Sequence, residues 1–329
     1  MSLDTDQIVD RRRMRRKLTF WRIVAVLIAI IGVVAVAAVM RGSTTGSLAQ
    51  PLTPQISRVT IQGIIRGDEE RTRALEGLAT SRNTRAVIVH IDSPGGTTTG
   101  SEELHEALRR VALQKPMVVV VDGMAASGGY MAAMAADHIV TQSTSLVGSI
   151  GVLFQFPNVT DLLKTIGVKV EEIKSSPLKA APNGLEPTTP EARAAIESLV
   201  VDSYAWFKAM VQDRRKLEGA DLDRVTDGRV FTGRQAIDLK LADEIGRERE
   251  AIDWLAKSSN IDPKLPVRDW RLKPRFSELS FLHLGVAKMM DMAGLGSLAR
   301  QLEASGTLQT VEALNLDGLL ALWHPSTTN

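Results

Sequence analysis

Met117-Val118-Val119-Val120-Val121 is apolar at every position. A strand with no polar face cannot border water on either side, so helices must cover both faces of its sheet. Ala86-Val87-Ile88-Val89-His90-Ile91 has nearly the same character, and Val59-Thr60-Ile61, His138-Ile139-Val140 and Val168-Lys169-Val170 read as shorter strands. Helical patterns fall between them, over Glu69–Ser81, from about Thr99 to Leu113 and near Asn158–Ile166. Thr189 caps a longer helix that Pro190 opens and whose apolar positions recur to Leu217. Strands alternating with helices predict an α/β domain built on a parallel sheet. No internal repeat is visible.

The N-terminal part of the 329-residue chain makes a different demand. Ile23 to Met40 runs 18 residues without a charge, long enough at about 1.5 Å per residue to cross most of a bilayer core. Residues 1–22 carry seven Lys or Arg against three Asp, whereas 41–56 hold only Arg41. That asymmetry predicts a cytoplasmic N-terminus, a transmembrane helix over 23–40 and everything later on the extracytoplasmic, periplasmic side of the inner membrane. Phe20 and Trp21 suit the cytoplasmic interface. A cleaved signal peptide ending at Ser47-Leu48-Ala49 is the alternative, but the apolar run exceeds the usual 7–15 residues of such segments. Residues 41–56, rich in Gly, Ser, Thr and Pro, read as a tether. A domain over 57–250 follows, and the Met- and Leu-rich stretch 251–329 reads as a helical C-terminal tail.

Composition removes several chemistries. Without cysteine there is no disulfide, thiol nucleophile or thiolate zinc site. Five histidines, none spaced as H-E-x-x-H, argue against a helix-borne zinc site, and no cofactor or metal is expected. The basic excess sits in residues 1–22, and the rest of the chain balances at −2, so no nucleic-acid partner is expected.

Two motifs could carry chemistry. Ala125-Ala126-Ser127-Gly128-Gly129-Tyr130 follows the apolar strand directly, placing a serine at a tight strand-to-helix turn among neighbours too small to shield its hydroxyl. The Gly128 N–H is the natural oxyanion donor there, although close packing of a helix on a sheet would use the same residues. Asp92-Ser93-Pro94-Gly95-Gly96 ends another strand, and its glycines let backbone N–H groups approach a ligand, either an oxyanion or a phosphate. None of the histidines recommends itself as a base for Ser127: His90 and His138 sit in strands, and His283 and His324 in the tail. A lysine is the better proposal. Its amine must lose about 3 pH units of basicity, about 4 kcal/mol of desolvation, to act near neutrality. Lys174 and Lys179 are placed for it, against the plain alternative of solvated surface charges.

These residues resemble a known family. Val87–Gly96, Ala125–Tyr130, Gly148-Ser149-Ile150-Gly151-Val152 and Asp227–Ala236 occur in the order and spacing of signal peptide peptidase A in its short, single-repeat form, over roughly residues 57–247. The resemblance implies the β-β-α superhelix shared by Clp protease and the crotonases, and a Ser–Lys dyad. Ser127 then matches the nucleophile, Lys179 the general base, Ser149 the hydroxyl orienting the lysine, and Gly96 and Gly128 the oxyanion-hole backbone. Ser176 stands where the family commonly has glycine, which leaves Lys174 as a rival base. The Asp227–Ala236 motif is expected to be structural. The resemblance also implies a homo-oligomer in which Ser and Lys of one site come from adjacent protomers. Signal peptides or other apolar peptides are the implied substrates, with a silent scaffold or, less favoured, an acyl-CoA enzyme as alternatives on the same fold.

Overall fold

A computed structural model of the chain describes residues 53–272 and 320–322. The chain divides into two compact units between Leu52 and Thr53, and the second holds every described residue. The apolar run 23–40, its basic flank and most of the tether therefore lie outside the described residues.

Among the described residues, nine strands form one mixed sheet. Strand β1 (Gln55–Ile65), β2 (Thr84–Thr97) and β3 (Met117–Ala126) are its parallel centre. The first half of β3 pairs with β4 (His138–Thr141), and its second half with β5 (Leu146–Gly148). Helices α1 (Glu69–Thr80) and α2 (Thr98–Ala112) make the crossovers between the first three strands, and α3 (Gly128–Ala133) follows β3. Asp68 and Thr97 cap α1 and α2 with side-chain oxygens, each accepting from a backbone N–H three residues on.

The uninterrupted apolar runs have a simple cause. Val87, Val89, Ile91, Val119 and Val121 point into one core with α2, α3 and the Phe207 and Val211 side of a long helix. Their neighbours Ala86, Ile88, Val118 and Val120 point into a second core with Ala251 and Leu255. Successive side chains alternate between faces, and both faces are dry.

After β5 come α4 (Thr160–Thr165) and the long helix α5 (Pro190–Arg215), capped by Thr189 as its sequence implied. Then follow α6 (Gly219–Val225), β6 (Val230–Thr232), α7 (Gly233–Asp238), β7 (Glu244–Ile245) and α8 (Glu248–Ser259). Strands β8 (Val267–Asp269) and β9 (Leu320–Leu322) complete the sheet.

Two expectations change. Val168–Val170 is not a strand: no other strand pairs with it, and both valines are exposed. Its alternating Val-Lys-Val pattern resembles a half-buried strand, but the segment finds no sheet edge among the described residues. The region after residue 250 is not purely helical either, because Val267–Asp269 adds to β1 and Leu320–Leu322 adds to β2.

Candidate active site

At the end of β3 the chain turns through Ser127, with φ 54° and ψ −116°, into α3. A side chain at positive φ is strained and persists only where its surroundings hold it. The Ser127 N–H donates to the Gly148 carbonyl at 2.7 Å, and the Ser127 carbonyl accepts from Tyr130 N–H at 2.9 Å and Met131 N–H at 3.0 Å. The residue is 1% exposed. Its hydroxyl does not cap α3 and has no hydrogen-bond partner among the described residues.

The floor beneath it is fixed from three directions. Tyr130, fully buried, donates its hydroxyl to the Leu241 carbonyl at 2.9 Å, and burial raises its pKa well above the ordinary phenol value. Asp92 accepts from Met124 N–H at 3.1 Å, joining the two sequence motifs. Ser93 Oγ donates to the Gly63 carbonyl at 2.7 Å and accepts from Gly95 N–H at 3.1 Å, which shapes the turn before Gly96. None of these three roles was read from the sequence, although all three residues lie inside the motifs that drew attention.

The glycines allow close approach. A Cβ on Gly96 would stand 1.7 Å from the Ile65 carbonyl oxygen, and one on Gly129 would stand 2.6 Å from that of Ser93. Ser93 and Ala125 are register partners, so Gly95 and Ser127 lie two residues beyond one pair on adjacent strands. Gly128 opens α3, and the first N–H groups of a helix have no intrahelical acceptor.

Ser149 is brought to the same place. Ala126 and Gly148 are partners across β3 and β5, so Ser127 and Ser149 each follow a member of one pair. Ser149 is 8% exposed, also at positive φ, and its N–H donates to the Arg229 carbonyl at 2.8 Å. That carbonyl belongs to the Asp227–Ala236 motif, which supplies β6 beside β5 and the Thr232–Gln235 capping box of α7.

Lys179 is not brought there in the single chain. It lies in the turn 175–180, exposed, with its backbone N–H on the Ser176 carbonyl at 3.1 Å. Its amine has no hydrogen-bond or ion-pair partner among the described residues. Lys174 is held differently: Glu172, at 2.5 Å, and Glu186 grip its ammonium and raise its pKa. Two carboxylates favour the charged form, which is the wrong state for a base. Neither strand histidine reaches Ser127. His90 sits between Asp122 and Glu248 at 3.0 and 2.9 Å, and His138 stacks on Trp254 beside Glu244. Among the described residues no cluster has the makings of a metal site.

Comparisons with known proteins identify the family. The profile of peptidase family S49 matches residues 109–262, and that of Clp protease matches residues 67–146. A candidate protease of Synechocystis sp., slr0021, is 35% identical over 211 residues, covering 64% of this chain and 76% of that protein. The chain belongs to peptidase family S49. Another relative within reach of this S49 chain is "Serine protease SPPA, chloroplastic" of Arabidopsis thaliana, 29% identical over 227 residues. That match covers 69% of the S49 chain but 32% of the plant protein, so the chain spans about a third of that relative's length. Among solved structures, a mutant ClpP1 from Listeria monocytogenes shares 14% identity, with a TM-score of 0.39 over 59% of this chain and 92% of that one. The S49 profile contains Ser127, Ser149 and Lys179; Gly96 lies ahead of it, within the Clp protease match. The Clp protease profile match covers the first crossovers of the mixed α/β sheet, and several of the chain's relatives are named as proteases.

Proposed function

We propose that this chain is a membrane-anchored serine endopeptidase using Ser127 as nucleophile and Lys179 as general base. It acts on cleaved signal peptides and other apolar peptides on the extracytoplasmic side. The observation that carries the reading is Ser127 itself, a residue 1% exposed at a strained strand-to-helix turn, whose hydroxyl does not cap the helix that follows.

In this reading Ser127 Oγ attacks the scissile carbonyl carbon while neutral Lys179 Nζ takes its proton. The carbonyl electrons move to oxygen, and the N–H groups of Gly96 and Gly128 stabilise that oxyanion. Lys179 then protonates the departing amine, leaving an acyl-serine. A water molecule, deprotonated by Lys179, cleaves the ester and restores Ser127. Ser149 orients the lysine amine through its hydroxyl.

The lysine arrives from a neighbouring protomer of a homo-oligomer. What supports this is the segment that carries it. Leu162, Ile166, Val168, Val170, Ile173 and Leu178 are all exposed in one chain, with Ile173 wholly so. Beside them Phe154, Phe156, Pro182, Ile196, Val200 and Val201 line a cavity of about 390 Å³. Apolar surface concentrated on one arm of a chain marks a contact with another macromolecule, and a second subunit would bury both the arm and Lys179.

Ser127→Ala, which changes one small residue for another, is expected to remove hydrolysis of an apolar peptide and labelling by a fluorophosphonate. Assembly, measured by light scattering, should be unaltered. Activity above a few per cent in the pure variant overturns the nucleophile assignment, and an unlabelled, inactive wild type makes the chain a silent scaffold.

A further inference from the structure

Opposite Asp92, β3 carries more chain than the strand beside it. Between the pairs Ile91 with Val121 and Ser93 with Ala125, β2 advances two residues and β3 four. Strand β3 therefore bulges at Asp122-Gly123-Met124. Just beyond, the strands part in a fork: β3 turns off at Ser127 while β2 runs on to Thr97. A bulge bends its strand and re-aims the residues that follow. Here those residues are Ala125, Ala126 and Ser127.

The bulge is gripped from β2 at both ends. Alternate residues of a strand share a face, so His90 and Asp92 stand on the face where Ile88 enters the second core. His90 Nδ1 lies 3.0 Å from Asp122 Oδ2, and Asp92 Oδ1 accepts from Met124 N–H at 3.1 Å. Gly123 between them has no room for a side chain, since a Cβ would stand 2.5 Å from Asp92 Oδ1. The Asp122 carbonyl accepts from Gln142 Nε2 at 2.9 Å and from Ser145 Oγ at 2.7 Å, which fixes the bulge from the turn between β4 and β5. His90 is itself held. Its Nε2 lies 2.9 Å from Glu248 Oε2 at the start of α8, and Arg58 Nη1 lies 3.2 Å from the same oxygen. Arg58 Nε in turn donates to Asp269 of β8 at 2.7 Å. A protonated imidazole donates from both nitrogens, so one ring ties the bulge to α8.

We infer that Asp92 and His90 are positioning residues for the proposed nucleophile: they fix the β3 bulge, and the bulge sets where Ser127 stands against Gly96. The inference rests on the peptidase reading and deepens it. Nucleophile and oxyanion donor come from opposite arms of the fork, so their separation depends on what holds the end of β3 to β2. A misplacement of about 1 Å between reacting groups can cost about a hundredfold in rate. The loss should fall on kcat, because it concerns alignment at one bond and not the hold on the peptide.

The test compares Asp92→Ala, Asp92→Asn, Gly123→Ala and His90→Gln in the full chain. Alanine removes the acceptor for Met124 N–H, whereas asparagine keeps an oxygen there. For an apolar peptide, kcat is expected to fall about 30-fold or more in Asp92→Ala, with KM within about twofold of wild type. Asp92→Asn should recover at least about a third of the wild-type kcat. Gly123→Ala, which drives a methyl against the carboxylate, should match Asp92→Ala, and His90→Gln should lose about fivefold or more. Labelling by a fluorophosphonate should slow in proportion, because it reads Ser127 without a peptide. In the Ser127→Ala background, exchange of the Met124 amide should accelerate in Asp92→Ala and stay slow in Asp92→Asn. A lowered urea midpoint with unchanged kcat in the folded protein overturns the inference, as does an equal loss of kcat in Asp92→Asn and Asp92→Ala. Unchanged exchange at Met124 also overturns it. Should Asp92→Ala fail to fold, Gly123→Ala and His90→Gln carry the same comparison. Failure of the peptidase reading instead appears as absent hydrolysis and labelling in wild type and all variants alike.

Discussion

Ser127 and Lys179 are built in opposite ways. Ser127 stands among buried neighbours, Ala125, Ala126, Gly128 and Gly129, with its N–H and carbonyl committed to hydrogen bonds inside one chain. Lys179 stands on an arm whose apolar side chains face outward and whose amine touches nothing described. On the proposed reading, the first half of the dyad is finished by folding, and the second is completed by a neighbouring protomer. Stability and activity should therefore separate on mutation: changes near Ser127 strike both, whereas changes on the arm spare the fold.

The largest effect expected comes from Lys179. Both Lys179→Ala and Lys179→Arg should lose activity by more than about a thousandfold, since arginine stays protonated and cannot accept a proton. Mixing Lys179→Ala with Ser127→Ala protomers should then return up to about a quarter of the sites, because random pairing in a closed ring joins intact Ser to intact Lys that often. No recovery in demonstrably mixed oligomers would place both residues of a site in one protomer. The rate should also climb with pH, since only an unprotonated amine takes the Ser127 proton. A limb near about 6.5, where histidine titrates, would refute a lysine base.

Ser149→Ala should cost less, roughly 10- to 1000-fold in kcat, about 1.4–4 kcal/mol, with KM little changed. Unaltered kinetics would leave Ser149 a packing residue. Tyr130→Phe tests the floor. It leaves the Leu241 carbonyl buried without its donor, and should destabilise the chain by about 1–3 kcal/mol in urea unfolding. Equal stability would mean that the Ser127 turn does not depend on this anchor.

The smallest effect concerns pH and stability. His105 is buried, with Nδ1 on the Met131 carbonyl at 2.7 Å, and desolvation lowers its pKa below the ordinary value of 6.5. The unfolded chain therefore takes up a proton there before the folded chain does. Its contribution to stability is full above about pH 6.5 and declines as pH falls below it. Replacement by Asn, which keeps a donor at the Nδ1 position, should flatten that decline between about pH 7 and 5, read by the urea midpoint. A decline of unchanged slope would assign it to other groups.

Much of the site was legible because small residues after apolar strands are locally distinctive. Ser127, Gly128 and Gly96 announce themselves by sitting where β3 and β2 end. Their supports were not legible: that Asp92 reaches Met124, or Tyr130 reaches Leu241, depends on contacts 32 and 111 residues apart. Val168–Val170 misled for a related reason, since alternation reports a half-buried segment without saying which chain buries it. β9 escaped notice because three residues of Leu-Ala-Leu fit a helix as well as a strand, and only the vacant edge of β2 decides between them.

The parting of β2 and β3 has a consequence for substrate choice. A ligand lodged in such a fork is read through its amides more than through its side chains, so replacing a backbone N–H with an ester oxygen or an N-methyl group should hurt binding more than exchanging one apolar side chain for another. On the proposed reading, such an enzyme discriminates little among apolar side chains. What it cuts is then decided by delivery: which polypeptides are already unfolded, and which are released close enough to be caught.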